Sequence, residues 1–184
     1  QRTLELLQIG CRERLPWQES RRPENEEPIR TEAQVEVTEA IREWDYGECE
    51  GLTSAEIREL RKKQSGEGDG SWDIWRDGCP GGESPQDIIR RLDALIAEIR
   101  DRYHRPYMEK LKSGNPTDRA EAKGDILIVA HGHILRAFAM RRIGRPLTDT
   151  ALILEAGGVG TLSYEYHNID EPAIILGGGF VVES

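Results

Sequence analysis

Two histidines one glycine apart, His131-Gly132-His133, are the first residues in this sequence that could do chemistry. Three uses fit the pair. A histidine at a turn can cap a helix. Alternating imidazoles can share a metal ion, with His167 and Asp170 to complete the set. A histidine at the end of a strand, beside a glycine and a helix N-terminus, can donate to a phosphate or attack it. The metal use is the least favoured: His133 falls in the first turn of a helix, so the two rings need not converge, and no cysteine lies near.

A second group is Glu43-Trp44-Asp45-Tyr46-Gly47. A carboxylate packed beside two aromatic rings is partly desolvated, which would raise its pKa toward that of a general acid working near neutrality. A surface loop with aromatic anchors would explain the same residues. A third group joins Trp75-Arg76-Asp77-Gly78 to Gly82-Glu83-Ser84. Arg76 could hold an anion through two parallel N–H donors, helped by amides at the Ser84 helix start. A capped helix alone accounts for Ser84 and Pro85, but not for Trp72 and Trp75 standing three residues apart.

The elements that must place these groups can be read around them. Ile126 to Val129 is an apolar run expected to form a strand buried on both faces, with His131 just beyond its end. Ile134, Leu135, Phe138 and Ile143 follow at helical spacing. Thr53 with Glu56 predicts a capped helix to Lys63. Ser84, Pro85 and Asp87 predict another, its stripe running through Ile88, Leu92, Leu95, Ile96, Ile99 and Tyr103 until Pro106 interrupts it. Short strands are expected at 34–37, 151–154, 159–166 and 174–176. Strands alternating with helices predict an α/β fold with a mostly parallel sheet. Ligands of such sheets sit at the carboxyl ends of the strands.

Bulk properties narrow the partners. A chain of 184 residues can bury one core. Its net charge of −9 argues against nucleic acid or an anionic membrane as the main partner, and no apolar run reaches the length of a membrane span. Three cysteines, Cys11, Cys49 and Cys79, with no CxxC pair, suggest reduced thiols in an intracellular setting, the cytoplasm first with the nucleus left open. Residues 10–33 carry prolines and charges without periodicity and are expected to form a loop insertion. The chain begins at Gln1, has no methionine before Met108, and opens on what looks like a helix entered partway. The expectation is a portion of a larger protein.

Taken in order, the three groups resemble the histidine phosphatase superfamily, also called phosphoglycerate mutase-like. Val129-Ala-His-Gly-His133 is similar to its second-histidine motif. Arg42-Glu-Trp-Asp-Tyr-Gly47 with Glu50-Gly51 is similar to its acid loop, and Gly82-Glu83-Ser84 to a substrate-side loop. Trp72 to Cys79, Ala156 to Gly160 and His167 to Pro172 resemble its fungal sugar-bisphosphatase branch.

This resemblance implies a three-layer α/β/α fold, in one domain over 1–184, acting on a small phosphorylated sugar without metal or other cofactor. Glu43 would be the proton donor and His131 would stabilise the phosphoryl group. Tyr46, Arg76, Glu83, Ser84 and Gly132 would contact substrate. The family's attacking histidine lies in an Arg-His-Gly motif on its first strand, and no such motif occurs in this chain. The resemblance therefore implies a fold lacking that strand, whose nucleophile is supplied from before Gln1, and a stretch inactive by itself. A mutase-type phosphotransferase and a non-catalytic binding module are the alternative readings. Homo-oligomerisation is left open.

Overall fold

Thr53 and Ser84 each open a helix by the same reciprocal device. In the computed structural model, which describes residues 35–65, 72–122 and 124–177, helix α1 spans Ser54–Ser65. The Thr53 amide donates to Glu56 Oε2 at 2.7 Å, and the Glu56 amide donates to Thr53 Oγ1 at 3.3 Å. A short helix α2, Ile74–Asp77, starts where the Asp73 side chain accepts the Trp75 amide, and ends at Gly78 with φ +64. Helix α3, Pro85–Ile99, has Ser84 and Asp87 as its capping box. Each such cap removes orphan amides and stabilises its helix by about 1 kcal/mol.

The long helix does not stop at Pro106. After α3 the chain winds as a π-helix over Arg100–His104 and continues as α4, Arg105–Lys112. The Arg105 amide bonds back to the Arg100 carbonyl, five residues earlier. Proline has no amide to donate, and its ring crowds the preceding turn of an ordinary helix. A wider turn just before Pro106 accommodates both defects, so one helical rod replaces the expected break.

Helix α5, Pro116–Glu121, follows, and then α6, Gly132–Arg142. Helices α3 and α6 pack together and supply the centre of the core. Ile88, Leu92, Ile134 and Ala137 are fully buried, with Ile96, Phe138 and Met140 close behind. Each large aliphatic buried there contributes on the order of 1.5–3 kcal/mol. Arg141 clamps Asp93 across the pair with two hydrogen bonds of 2.8 Å.

The sheet differs from the expected one. Among the described residues it is a hairpin of β1, Thr161–Tyr164, and β2, Pro172–Ile175, paired antiparallel with Leu162 opposite Ile174. β1 falls inside the expected 159–166 segment, and β2 overlaps the expected 174–176 segment but starts earlier, at Pro172. No strand forms at 35–37, at 126–129 or at 151–154. A strand exists through its ladder, and the described residues give these segments none. The mostly parallel layer is therefore not drawn by the described ladders.

Residues 35–39 and Leu127–Val129 belong to one compact unit, and the other described residues to a second, which holds α1 to α6, the hairpin and the site below. The expected opening helix, the 10–33 insertion, Gln34 and Cys11 lie outside the described residues. No helix among the described residues is long and apolar enough to cross a membrane.

Candidate active site

Glu43 and the start of α6 form the centre of the site. His131 occupies the N-cap position in an extended conformation, and its side chain makes no capping bond. The cap is supplied from another part of the chain: Glu43 Oε1 accepts the Ile134 amide at 2.9 Å, and Oε2 accepts the His133 amide at 3.3 Å. Oε1 also accepts the amide of Trp44 at 2.9 Å. A carboxylate at a helix N-terminus meets both orphan amides and the positive end of the helix dipole. Its setting includes three N–H donors that the sequence did not suggest. The amide contact to Oε2 is the longest of the three.

Tyr46 and His133 close the site on one side. The Tyr46 hydroxyl lies 2.7 Å from His133 Nδ1, and the rings meet edge to face. Burial, and then the neighbouring charge of Glu43, push the Tyr46 hydroxyl well above its ordinary range. Burial and Arg136 hold His133 below the usual imidazole value against the pull of Glu43. The neutral form of His133 is thereby favoured. Trp75 packs against both His133 and Trp44, with the Arg136 guanidinium 5.0 Å over its ring. This wall holds the acid loop against the helix.

The acid loop is fixed from beneath by Glu83, which is 8% exposed. Arg91 grips its carboxylate at 2.8 and 3.0 Å, the Asp45 amide donates to it at 3.0 Å, and Arg42 lies at 3.3 Å. Burial alone would raise the Glu83 pKa, but these partners, Arg91 foremost, hold it below its ordinary value. The backbone of the same residue accepts Trp44 Nε1 at 2.9 Å and donates to the Asp45 carbonyl at 2.9 Å. A further strut runs from the Glu48 amide to the Pro80 carbonyl at 2.8 Å. The two loops approach so closely that a Cβ at Gly47 would meet the backbone of Pro80, Gly81 and Gly82. Gly47 also sits at φ +49, where a side chain is strained.

The sequence candidates thus take different places. Glu43, Tyr46, Gly132 and His131 gather at or beside the head of α6, with His131 and Gly132 exposed. Glu83 has both carboxylate oxygens engaged within the protein. The Ser84 hydroxyl donates to Asp87 Oδ2 at 2.6 Å and accepts the Asp87 amide, so it belongs to the cap. Exposed Arg76 forms a two-point pair with Asp77 at 2.8 and 2.9 Å. Cys79 is buried, its thiol pushed up to about 12 by burial and by Cys49 alongside, which makes it a poor nucleophile. Asp170 pairs with Arg100 at 3.1 Å rather than standing ready for a metal. Among the described residues no three His, Cys, Asp or Glu side chains gather as a metal set.

Sequence reasoning missed Arg91, Trp75 as a partner of His133, and Arg136. Arg91 left one trace: a charged residue beside Leu92, within the apolar stripe of α3. A cation there needs a buried carboxylate, and Glu83 is that carboxylate.

Comparison with known proteins identifies relatives of the chain. Residues 24–170 match the histidine phosphatase superfamily (branch 1). The chain is 36% identical to the sedoheptulose 1,7-bisphosphatase of Saccharomyces cerevisiae, over 83% of this chain and 64% of that protein. It is 30% identical to an acid phosphatase of Mycobacterium tuberculosis, over 76% of this chain and 56% of that one. The solved structure of the open reading frame Rv3214 product from Mycobacterium tuberculosis superposes with a TM-score of 0.56 at 27% identity, covering 78% of this chain and 60% of that one. The chain thus spans less than two thirds of the length of these relatives.

Proposed function

The chain belongs to the histidine phosphatase superfamily, and from that premise we propose that it forms the acid-bearing part of a metal-independent phosphatase acting on phosphorylated sugars. The observation that carries this reading is the Glu43 carboxylate seated on the N-terminus of α6, next to His131. That end of a helix favours a phosphate, and the carboxylate beside it can deliver a proton to a leaving oxygen. The sugar part of the reading is supported by the likeness to a sugar bisphosphatase.

In this reading an imidazole from an Arg-His-Gly segment, which these 184 residues do not contain, attacks phosphorus. The P–O bond to the sugar breaks as Glu43, protonated on Oε2, gives its proton to the departing oxygen. Glu43 then takes a proton from water, whose oxygen attacks the phosphohistidine and releases phosphate and free imidazole. His131 and the positive end of the α6 dipole stabilise charge on the transferring group. Gly132 leaves room for the phosphate to approach, and Tyr46 borders the sugar. Arg76 reaches the substrate only by exchanging its Asp77 partner. Glu83 and Ser84 act by holding the loops.

The reading also carries a three-layer α/β/α fold with a mostly parallel sheet, one domain over 1–184, and 10–33 as an insertion. The fold part of it is supported by the structural likeness to the Rv3214 product.

Rapid quenching of the intact enzyme with a ³²P-labelled sugar bisphosphate tests the mechanism. A protein-bound label stable to base and lost in acid is expected, together with net phosphate release. An acid-stable label, or isomerisation without release of phosphate, overturns it.

A further inference from the structure

The far end of α6 holds a cation that the mechanism does not use. Arg142 lies ten residues beyond Gly132, about 15 Å along the helix axis from the site just described. It is 5% exposed, and one of its terminal nitrogens is buried with no hydrogen-bond partner among the described residues. Its guanidinium rests 3.9 Å over the Tyr164 ring. The Tyr164 hydroxyl in turn meets His104 Nδ1 at 2.8 Å.

The neighbouring arginines are each balanced by a carboxylate. Arg100 pairs with Asp170 at 3.1 Å, Arg105 with Asp101 at 3.2 Å, and Arg141 with Asp93 at 2.8 Å. Arg142 has no carboxylate partner among the described residues. A buried charge without a partner is destabilising, and a cation–π contact offsets only part of that cost. Arginine cannot escape by losing its proton. The chemistry therefore calls for an anion.

The surroundings suit one. The cluster sits on the π-wound segment Arg100–His104, and such segments recur at functional sites. Of these residues Arg100 borders a cavity of about 310 Å³, whose other walls are Asp93, Ile96, Ala97, Asp101 and Arg105. Two of its walls are acidic, but both carboxylates are already engaged by Arg141 and Arg105.

We propose that Arg142, Arg100 and His104 form a second oxyanion site, fit for a phosphate group and separate from the Glu43 site. Arg142 supplies the buried charge, and Arg100 supplies a second guanidinium at the rim. The imidazole of His104 orients the Tyr164 ring beneath them. The site does not depend on the hydrolase reading.

The test is a titration of the whole chain with inorganic phosphate, followed by NMR of a ¹³C label on the Tyr164 and Tyr46 rings, against chloride at matched ionic strength. A saturable shift of Tyr164 is expected with phosphate only, abolished in Arg142→Met and weakened about tenfold in Arg142→Lys, which keeps the charge but loses the two-point fork. The Tyr46 response reports the other site and should be unchanged by both substitutions. A Tyr164 signal unmoved at saturating phosphate overturns the proposal, as does a shift retained in Arg142→Met. If Arg142→Met does not fold, the lysine variant decides: affinity equal to that of the unsubstituted chain overturns it.

Discussion

Glu43 accepts the amide of Ile134 at 2.9 Å across ninety-one positions of sequence. The carboxylate that the proposed mechanism uses as its acid is thereby the cap of a core helix, so its orientation is set by the fold itself. The predictions below test that coupling and the supports around it.

Glu83 should prove essential to the loop rather than to the chemistry. Removing one partner of a buried ion pair leaves the other uncompensated, so Glu83→Gln should cost about 3–5 kcal/mol in urea unfolding at pH 7. The pKa of Glu83 is depressed in the folded chain, so its contribution is full above the ordinary glutamate value and fades as pH falls through the folded one. The gap between the unsubstituted chain and Glu83→Gln should hold from neutral pH to near 5 and narrow in more acid solution. A gap unchanged down to pH 2 would show that the pair does not bear the load.

Gly47 should tolerate no side chain. Gly47→Ala combines a positive φ with backbone atoms where the Cβ must go, and a loss of about 3 kcal/mol or more is expected. Gly144→Ala is the control: its φ is also positive, at +72, but nothing lies within 4 Å, so its loss should be nearer 1 kcal/mol. Equal shifts in melting temperature would mean that the two loops do not meet as described.

How much of this was readable beforehand follows from the range of each interaction. The caps at Thr53 and Ser84 were legible because both partners lie within three residues. So was the buried stripe of Ile88, Leu92, Ile96 and Ile99, since periodicity alone sets it. The cap of α6 was not legible, because Glu43 stands ninety-one residues from Ile134 and nothing local announces the contact. Pro106 misled for a related reason: a proline usually ends a helix, and the π turn that accommodates it has no sequence signature. The segment 126–129 has the composition of a buried strand, yet composition cannot provide a ladder.

His133 should titrate below the ordinary imidazole value of 6.5, since burial disfavours its charged form. Its contribution to stability is then complete above 6.5 and is lost as pH falls through the folded value. NMR of the ring carbons checks the midpoint, and a value above 6.5 would contradict the buried neutral ring. A double-mutant cycle of Tyr46→Phe with His133→Ala should show coupling of about 0.5–2 kcal/mol. Simple additivity would mean that the 2.7 Å contact carries nothing.

The most direct test of the central claim is the leaving-group dependence of Glu43→Gln in the intact enzyme. An amide keeps the shape of the side chain but cannot give up a proton to the leaving oxygen. The account predicts that kcat for a sugar phosphate falls by about 10²–10⁴, while an activated aryl phosphate, whose phenolate departs unaided, loses less than tenfold. Equal losses for both substrates would contradict the assignment of Glu43 as the acid.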